Sequence, residues 1–197
     1  QTLASAVTQP WPTYEGLGLT DEHGFKQLNT AVLQIENEYY SSIRPKRGQK
    51  AGERPVRALF NRGVEYIEIR AIDLNPFARN GISKIQAGLI TLLVVASALA
   101  DSPLNTAEEC AALGSLNARA TWAGRRDKQT YDQNRTFRSA GLAFLSDLDG
   151  LAEGLDQAFK TTIHKDSLID ARARLNGESL LLSDEIEAKS YHPGHLA

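Results

Sequence analysis

Methionine is absent from the 197 residues, and cysteine occurs once, as Cys110. A lone cysteine forms no internal disulfide, so no covalent bridge holds the chain together, and a cytoplasmic setting is the default. Ordinary usage would place roughly four methionines in a chain of this size. Their absence, with Gln1 in the first position, leads to the expectation of a piece of a longer protein. Neither sign of charge dominates: 22 Lys and Arg against 24 Asp and Glu leave a net charge of −2. That balance argues against general affinity for nucleic acid or a membrane surface. The longest uncharged apolar stretch, Ile85 to Ala100, is sixteen residues and contains Gln86, Thr91 and Ser97, which is short for crossing a bilayer. Residues 1–7 lack the basic end and apolar centre of a signal peptide. Also missing are a Gly-rich phosphate loop, a Ser-His-Asp pattern in a recognisable setting and an internal repeat, so a nucleophilic enzyme is not supported.

What is present is the make-up of an ordinary globular protein, 42% hydrophobic and 23% charged, long enough for one domain with a real core or two small ones. Its centre of interest is Gly63-Val64-Glu65-Tyr66-Ile67-Glu68-Ile69-Arg70. At a period of two, Val64, Tyr66, Glu68 and Arg70 share one face, and Ile67, Ile69 and Ala71 the other. The pattern suits an ordinary half-buried strand whose Glu68 and Arg70 are solvated or paired. It equally suits a strand lining a phosphate-handling cleft, where a carboxylate holds a hard cation and a guanidinium meets phosphate oxygens. Residues Thr30 to Tyr40 also alternate, and we expect a second strand there. Between them, Arg44-Pro45-Lys46-Arg47-Gly48-Gln49-Lys50 reads as a basic turn, either a solvated loop or a set of cations near a polyphosphate.

Residues 9–24, with Pro10, Trp11, Pro12 and Tyr14, have the composition of an ordered loop. Helices are expected at Arg54 to Asn61, with Val56, Leu59 and Phe60 on a buried face, and at Ile82 to Ala100, buried in the core. Thr106-x-x-Glu109 is a capping box opening a helix that extends to about Ala123. A single packing helix is expected from Phe137 to Phe159, locally weakened by Gly141, Gly150 and Gly154. A short helix follows over Lys165 to Leu175, and the last residues are expected to be loose. His192 and His195 have ligand chemistry but no carboxylate at a set spacing, which argues against a metal site. His164 is expected at the surface, and Cys110 as a buried or inert thiol.

Several longer words, in order, carry a resemblance. Gln27-Leu28-Asn29-Thr30, Leu33-Gln34-Ile35-Glu36-Asn37-Glu38-x-Tyr40, Ile43-Arg44-Pro45-Lys46-Arg47, Val64 to Arg70 and Asp73-Leu74-Asn75-Pro76-Phe77 resemble the proteobacterial type of glutamate–cysteine ligase. The likeness is close over about residues 10 to 103, fainter over Asn117 to Arg126, and poor beyond. A basic Gly-Arg pair of the family is matched by Gly124-Arg125.

The resemblance implies an α+β fold: part of a glutamine-synthetase-like antiparallel ligase sheet, with helices on its apolar side. It further implies a sheet-bearing portion over 1–103 and a mainly helical one over 104–197. The implied activity is first-step glutathione synthesis: ATP phosphorylates the γ-carboxylate of glutamate, and the amine of cysteine attacks the acyl phosphate. ATP is the co-substrate and Mg2+ or Mn2+ the cofactor. By motif position, Glu68 matches a magnesium-binding glutamate, Arg70 an arginine that stabilises the phosphoryl group, and Tyr40 a wall of the cysteine pocket. Lys46 and Arg47 are phosphate neighbours on charge alone. Most of the family's metal-binding carboxylates come earlier than anything here, so an N-terminal portion is expected as partner, and the chain alone is expected to bind ATP poorly and turn over nothing. The alternatives are a shortened, non-catalytic relative acting as a binding or regulatory subunit, and a carboxylate–amine ligase with another acceptor.

Overall fold

The computed structural model describes residues 2–38, 40–123 and 130–190. They form two compact units, Gln1–Asp73 and Leu74–Ala197, so the expected division near residue 103 falls inside the second. The architecture is α+β, with antiparallel pairing in both of its small sheets.

In the first unit, α1 (Thr2–Ala6) and α2 (Pro12–Leu17) precede a hairpin of β1 (Thr20–Asp21) and β2 (Gly24–Phe25). The strand expected over 30–40 does not form. Ala31 makes an isolated bridge to Pro10, and Glu36–Glu38 is a single 3-10 turn. Side-chain amides explain the difference, because they take the backbone groups a ladder would have used. Asn29 accepts from the Ala31 N–H at 2.6 Å and donates to the Gln34 carbonyl at 2.5 Å. Gln34 accepts from the Leu28 N–H at 2.9 Å. Gln27 donates to the carbonyls of Tyr14 and Gly18 at 2.6 and 2.9 Å.

The true partner of the central strand lies in the segment read as a basic turn. β3 (Ile43–Lys46) pairs antiparallel with β4 (Tyr66–Ile69), and α3 (Pro55–Arg62) connects them. Pro55 opens α3 at a position where a missing N–H costs nothing. Its buried residue is Ala58; Phe60, expected on the buried face, is 87% exposed.

The second unit is helical: α4 (Lys84–Leu99), α5 (Ala107–Ala123), α6 (Phe137–Asp147), α7 (Asp149–Phe159), α8 (Ile163–Asn176) and α9 (Leu182–Ser190). Ser83 and Gln86 form a capping box that starts α4, with the Ser83 hydroxyl accepting from the Gln86 N–H at 3.1 Å. Gln86 also accepts from the Asn75 amide at 2.9 Å, anchoring the Asn75-Pro76-Phe77 turn. Leu92, Leu145, Leu148, Ala152 and Leu168 make the core, where α8 packs on α4, α6 and α7. Only Gly88 and Leu92 of α4 are fully buried, less than expected of a core helix.

The expected helix over 137–159 is two helices, broken at Leu148 rather than at a glycine. Arg172 stabilises the break, donating to the Leu145 carbonyl at 3.0 Å and to both Asp149 oxygens at 2.8 Å. The Thr106 box opens α5 as expected, the Glu109 N–H donating to the Thr106 hydroxyl at 3.2 Å. Apart from half-buried Leu116, the described side chains of α5 are exposed, Cys110 among them. Of the two alternatives for Cys110, a buried or an inert thiol, its exposure removes the first, and His164, expected at the surface, is buried against Asp156. Among the described residues no helix is long and apolar enough to cross a membrane.

Candidate active site

The β3–β4 register decides which side chains meet. Directly opposed residues share a face, and the pairs are Ile43 with Ile69, Arg44 with Glu68, Pro45 with Ile67 and Lys46 with Tyr66. One face therefore carries Arg44, Lys46, Tyr66 and Glu68; the other carries Ile43, Pro45, Ile67 and Ile69. The ladder continues one step at each end, with the Arg70 N–H donating to the Ser42 carbonyl at 2.7 Å and the Glu65 N–H to the Lys46 carbonyl at 2.9 Å. Arg70 thus joins the face of Glu68.

Glu68 sits between two cations. Its Oε1 is 3.0 Å from Nη2 of Arg70, and its Oε2 is 3.3 Å from Nζ of Lys46. Oε2 is shielded from solvent, and the Lys46 contact lacks the geometry of a hydrogen bond. Hydrogen bonding from Arg70, opposed by burial and helped by Lys46, holds the Glu68 carboxyl below the usual carboxylate range. The Arg70 guanidinium carbon also stands 5.6 Å over the Tyr40 ring, a cation–π contact on a side chain that is otherwise well exposed. Four of the residues singled out in the sequence, Tyr40, Lys46, Glu68 and Arg70, are therefore adjacent.

Arg47 is not with them. It alternates to the apolar face, its Nε 3.6 Å from Oε2 of Glu65. The same Glu65 oxygen accepts from the Gly48 N–H at 2.9 Å. Arg62 forks onto both Glu53 oxygens at 2.7 Å and donates to the Gly48 carbonyl at 2.7 Å, which ties the basic loop to α3. Arg44 was read in the sequence only as a member of the basic turn, and its place directly across from Glu68 was missed. Its signal was the alternation of apolar and charged residues in Ile43-Arg44-Pro45-Lys46, visible only if that segment is read as a strand.

A cleft of about 560 Å³ in the first unit is lined by Leu28, Asn29, Gln34, Ile35, Glu36 and Arg54, among others. Its amides and carboxylate already have partners within the chain; Glu36 accepts from the Val56 N–H at 3.0 Å at the start of α3. Among the described residues no three His, Cys, Asp or Glu converge on one point. The His192 and His195 pair and the basic Gly124-Arg125 pair lie outside the described residues.

The chain has relatives among known proteins along its whole length. The sequence profile described as glutamate-cysteine ligase matches residues 1–119. A glutamate–cysteine ligase from Saccharophagus degradans is 40% identical over the whole chain, which covers 39% of that relative. One from Pseudomonas savastanoi pv. phaseolicola is 37% identical, again over the whole chain and 38% of the relative. The crystal structure of a glutamate–cysteine ligase from Francisella tularensis in complex with AMP superposes with a TM-score of 0.77 at 29% identity, covering 96% of this chain and 39% of that one. This chain thus spans about two-fifths of the length of the relatives it matches. By sequence and by fold, the chain belongs to the glutamate–cysteine ligase family.

Proposed function

We propose that this chain supplies the phosphate-facing wall of a site that joins glutamate to cysteine at the expense of ATP. The observation that carries the reading is the gathering of Arg44, Lys46, Glu68 and Arg70 on one face of a rigid ladder, with one Glu68 oxygen shielded and without a hydrogen bond. An ionised carboxylate is the hard oxygen ligand that magnesium or manganese takes. Glu68 is thus the residue of this face that would hold the metal, and among the described residues no group of three or more His, Cys, Asp or Glu completes the site. When bound, a divalent ion would neutralise charge on the transferred phosphoryl group.

The remaining roles follow from the chain's own groups. Arg70 presents a planar fork to the phosphoryl oxygens as the γ-carboxylate oxygen of glutamate forms its bond to phosphorus and ADP leaves. Lys46 adds a mobile positive charge beside it. Tyr40 offers a hydroxyl and a ring as a wall for the incoming cysteine, whose amine attacks the acyl carbon while phosphate departs.

One carboxylate does not assemble a complete metal site. We therefore read the activity as requiring a second portion that contributes the other carboxylates. Phe25, Leu28 and Phe60, each at least 71% exposed, suit a surface that another polypeptide covers. The reading of a non-catalytic binding subunit draws on these same residues.

The test is glutamate- and cysteine-dependent ADP release with magnesium. The purified chain, with its intact mass and oligomeric state established, is assayed alone and then mixed with the separately expressed remaining portion of the Saccharophagus degradans relative. We expect silence alone, activity in the mixture, and loss of that activity with Glu68→Gln. Turnover by the chain alone would overturn the two-portion reading. A mixture that forms a complex yet stays silent would favour the binding-subunit reading.

A further inference from the structure

We propose that the cleft between the loop at 130–136 and α6 binds a small organic monocation with a ring-sized apolar body, of which an arylalkylamine is the simplest. The cleft belongs wholly to the second unit and lies beyond residue 119, where the match to the family profile ends.

Its shape comes from spacing along α6. Phe137 and Phe144 stand two turns apart, roughly 10 Å along the axis, and so on the same side of the helix. Between them come Ala140 and Gly141, which have no bulk to fill the gap. Gly141 is fixed from behind, since a Cβ there would come 3.1 Å from Cδ1 of Leu175. The result is a hollow of about 400 Å³ with aromatic side chains in its walls, the size and lining of a small-molecule site.

The opposite wall is held in place by the chain itself. Arg119 donates from α5 to the carbonyls of Thr130 and Tyr131 at 3.2 and 3.3 Å. The Tyr131 N–H donates to the Arg135 carbonyl at 2.8 Å, and Oδ1 of Asp132 accepts from the N–H groups of Asn134 and Arg135 at 2.9 and 2.8 Å. Tyr131 meets Phe137 edge to face, the ring centroids 5.8 Å apart.

Charge decides what the hollow takes. Arg135 stands over the Tyr131 ring at 5.2 Å, and Asp132 neutralises it, with Oδ2 2.8 Å from Nε and 2.6 Å from Nη2. An anion therefore meets no spare cation among the described residues that line the cleft. Asp147 lines it too, and its carboxylate has no hydrogen-bond or ion-pair partner among the described residues. This carboxylate ends α6, where the helix dipole is negative and the last turn has no basic residue. A cation is the counter-ion that Asp147 lacks, and an aromatic lining favours the same sign. Arg135 over Tyr131 is the chain's own instance of that contact.

The experiment titrates the full, isotope-labelled chain with phenethylamine, phenethyl alcohol and phenylacetate, which share a ring and differ in charge. Backbone amides are followed by NMR and affinity by calorimetry. Shifts should map to the loop and α6. The amine should bind about fivefold tighter than the alcohol, the acid more weakly than either, and added salt should erode the amine's advantage. Asp147→Asn should bring the amine down to the level of the alcohol and leave the alcohol unchanged. Phe144→Ala, at a ring already 49% exposed, should weaken amine and alcohol alike, with the dispersion of the amide spectrum showing that the chain stays folded. An acid that binds as tightly as the amine overturns the proposal, as does an amine indifferent to Asp147→Asn or a loop and α6 without shifts. The titration is then repeated with the remaining portion of the Saccharophagus degradans relative present. Persistence of the amine's shifts supports a ligand site; their loss overturns it in favour of an interface that this portion covers.

Discussion

The Asp156 carboxylate closes the start of α8 through His164: its Oδ1 lies 2.7 Å from the His164 Nδ1 and accepts the His164 N–H at 3.1 Å, while Oδ2 accepts the Lys165 N–H at 2.9 Å. Both side chains are buried. Two of the otherwise unpaired N–H groups of the first helical turn are thereby satisfied from α7. This explains why α8 begins at Ile163, earlier than the periodicity of its apolar residues indicates.

Asp156→Asn turns an amide donor toward groups that themselves donate, and should destabilise the helical unit by about 1–3 kcal/mol in urea unfolding. The pH dependence has a definite sign. Burial pushes the Asp156 carboxyl up, but the Lys165 N–H and the His164 ring and N–H outweigh it and leave the group below the usual range. A carboxyl lowered on folding adds stability that is complete above its unfolded pKa and is lost as pH falls through the folded one. Native stability should therefore drop on acidification below the ordinary aspartate range. An Asp156→Asn chain with the same acid slope would count against this account.

Alanine should act oppositely at two helical glycines. A Cβ on Gly88 in α4 would fall 2.4 Å from the Ser167 hydroxyl, 2.7 Å from Cγ2 of Ile163 and 3.1 Å from the Ile163 carbonyl. Overpacking of this kind costs about 1–3 kcal/mol, against a helix-propensity gain of about 1 kcal/mol. Gly154 in α7 has nothing within 4 Å of such a Cβ. Gly88→Ala should lower the Tm and Gly154→Ala raise it, as calorimetry would read directly.

Glu53 reports on the basic loop. The Arg62 fork and the Lys50 N–H lower its carboxyl from 4.5 to about 2. Its contribution is fully present above about 4.5, the ordinary value, and is lost as pH falls toward 2. In an NMR titration of the side-chain carboxyl carbons, Arg62→Ala should bring the Glu53 midpoint back toward the ordinary glutamate range. A midpoint unmoved by the substitution would show that Arg62 is not the cause.

Arg70→Lys keeps the charge but gives up the planar fork and the fit over Tyr40. In the mixed, ADP-releasing system we expect a fall on the order of 10²-fold in turnover, the scale of losing one preorganised donor to a developing charge. Tyr40→Phe, which retains the ring, should leave the Arg70 contact intact and act mainly on the KM for cysteine. Equal activity of Arg70→Lys and the native chain would remove Arg70 from the phosphoryl contact.

Local chemistry was legible wherever neighbours in sequence set the structure. Pro55 announced α3, the Thr106 and Glu109 pair announced α5, and the period of two through Tyr66, Glu68 and Arg70 announced β4 and its charged face. Those signals act over a few residues, so the chain need not be folded for them to be read. What failed were choices between local and distant partners. Residues 30–40 alternate like a strand, yet Asn29 and Gln34 take the backbone groups themselves. Ile43 to Lys46 read as a turn because of Pro45 and its charges, and became a strand because β4 pairs with it there. Phe137 to Phe159 had one helical pattern, and Arg172, thirteen residues beyond its end, divides it at Leu148.

The sequence by itself determined the charged face of β4, which rests on residue type and spacing, and the family resemblance, through which Glu68, Arg70 and Tyr40 were singled out together. Only the tertiary structure decided that Lys46 joins them while Arg47 turns away, that Arg44 stands across from Glu68, and that His164 is buried on Asp156. The physical reason is register: in a pleated ladder one residue's displacement exchanges the two faces, and only pairing with a second strand fixes which cations meet the carboxylate.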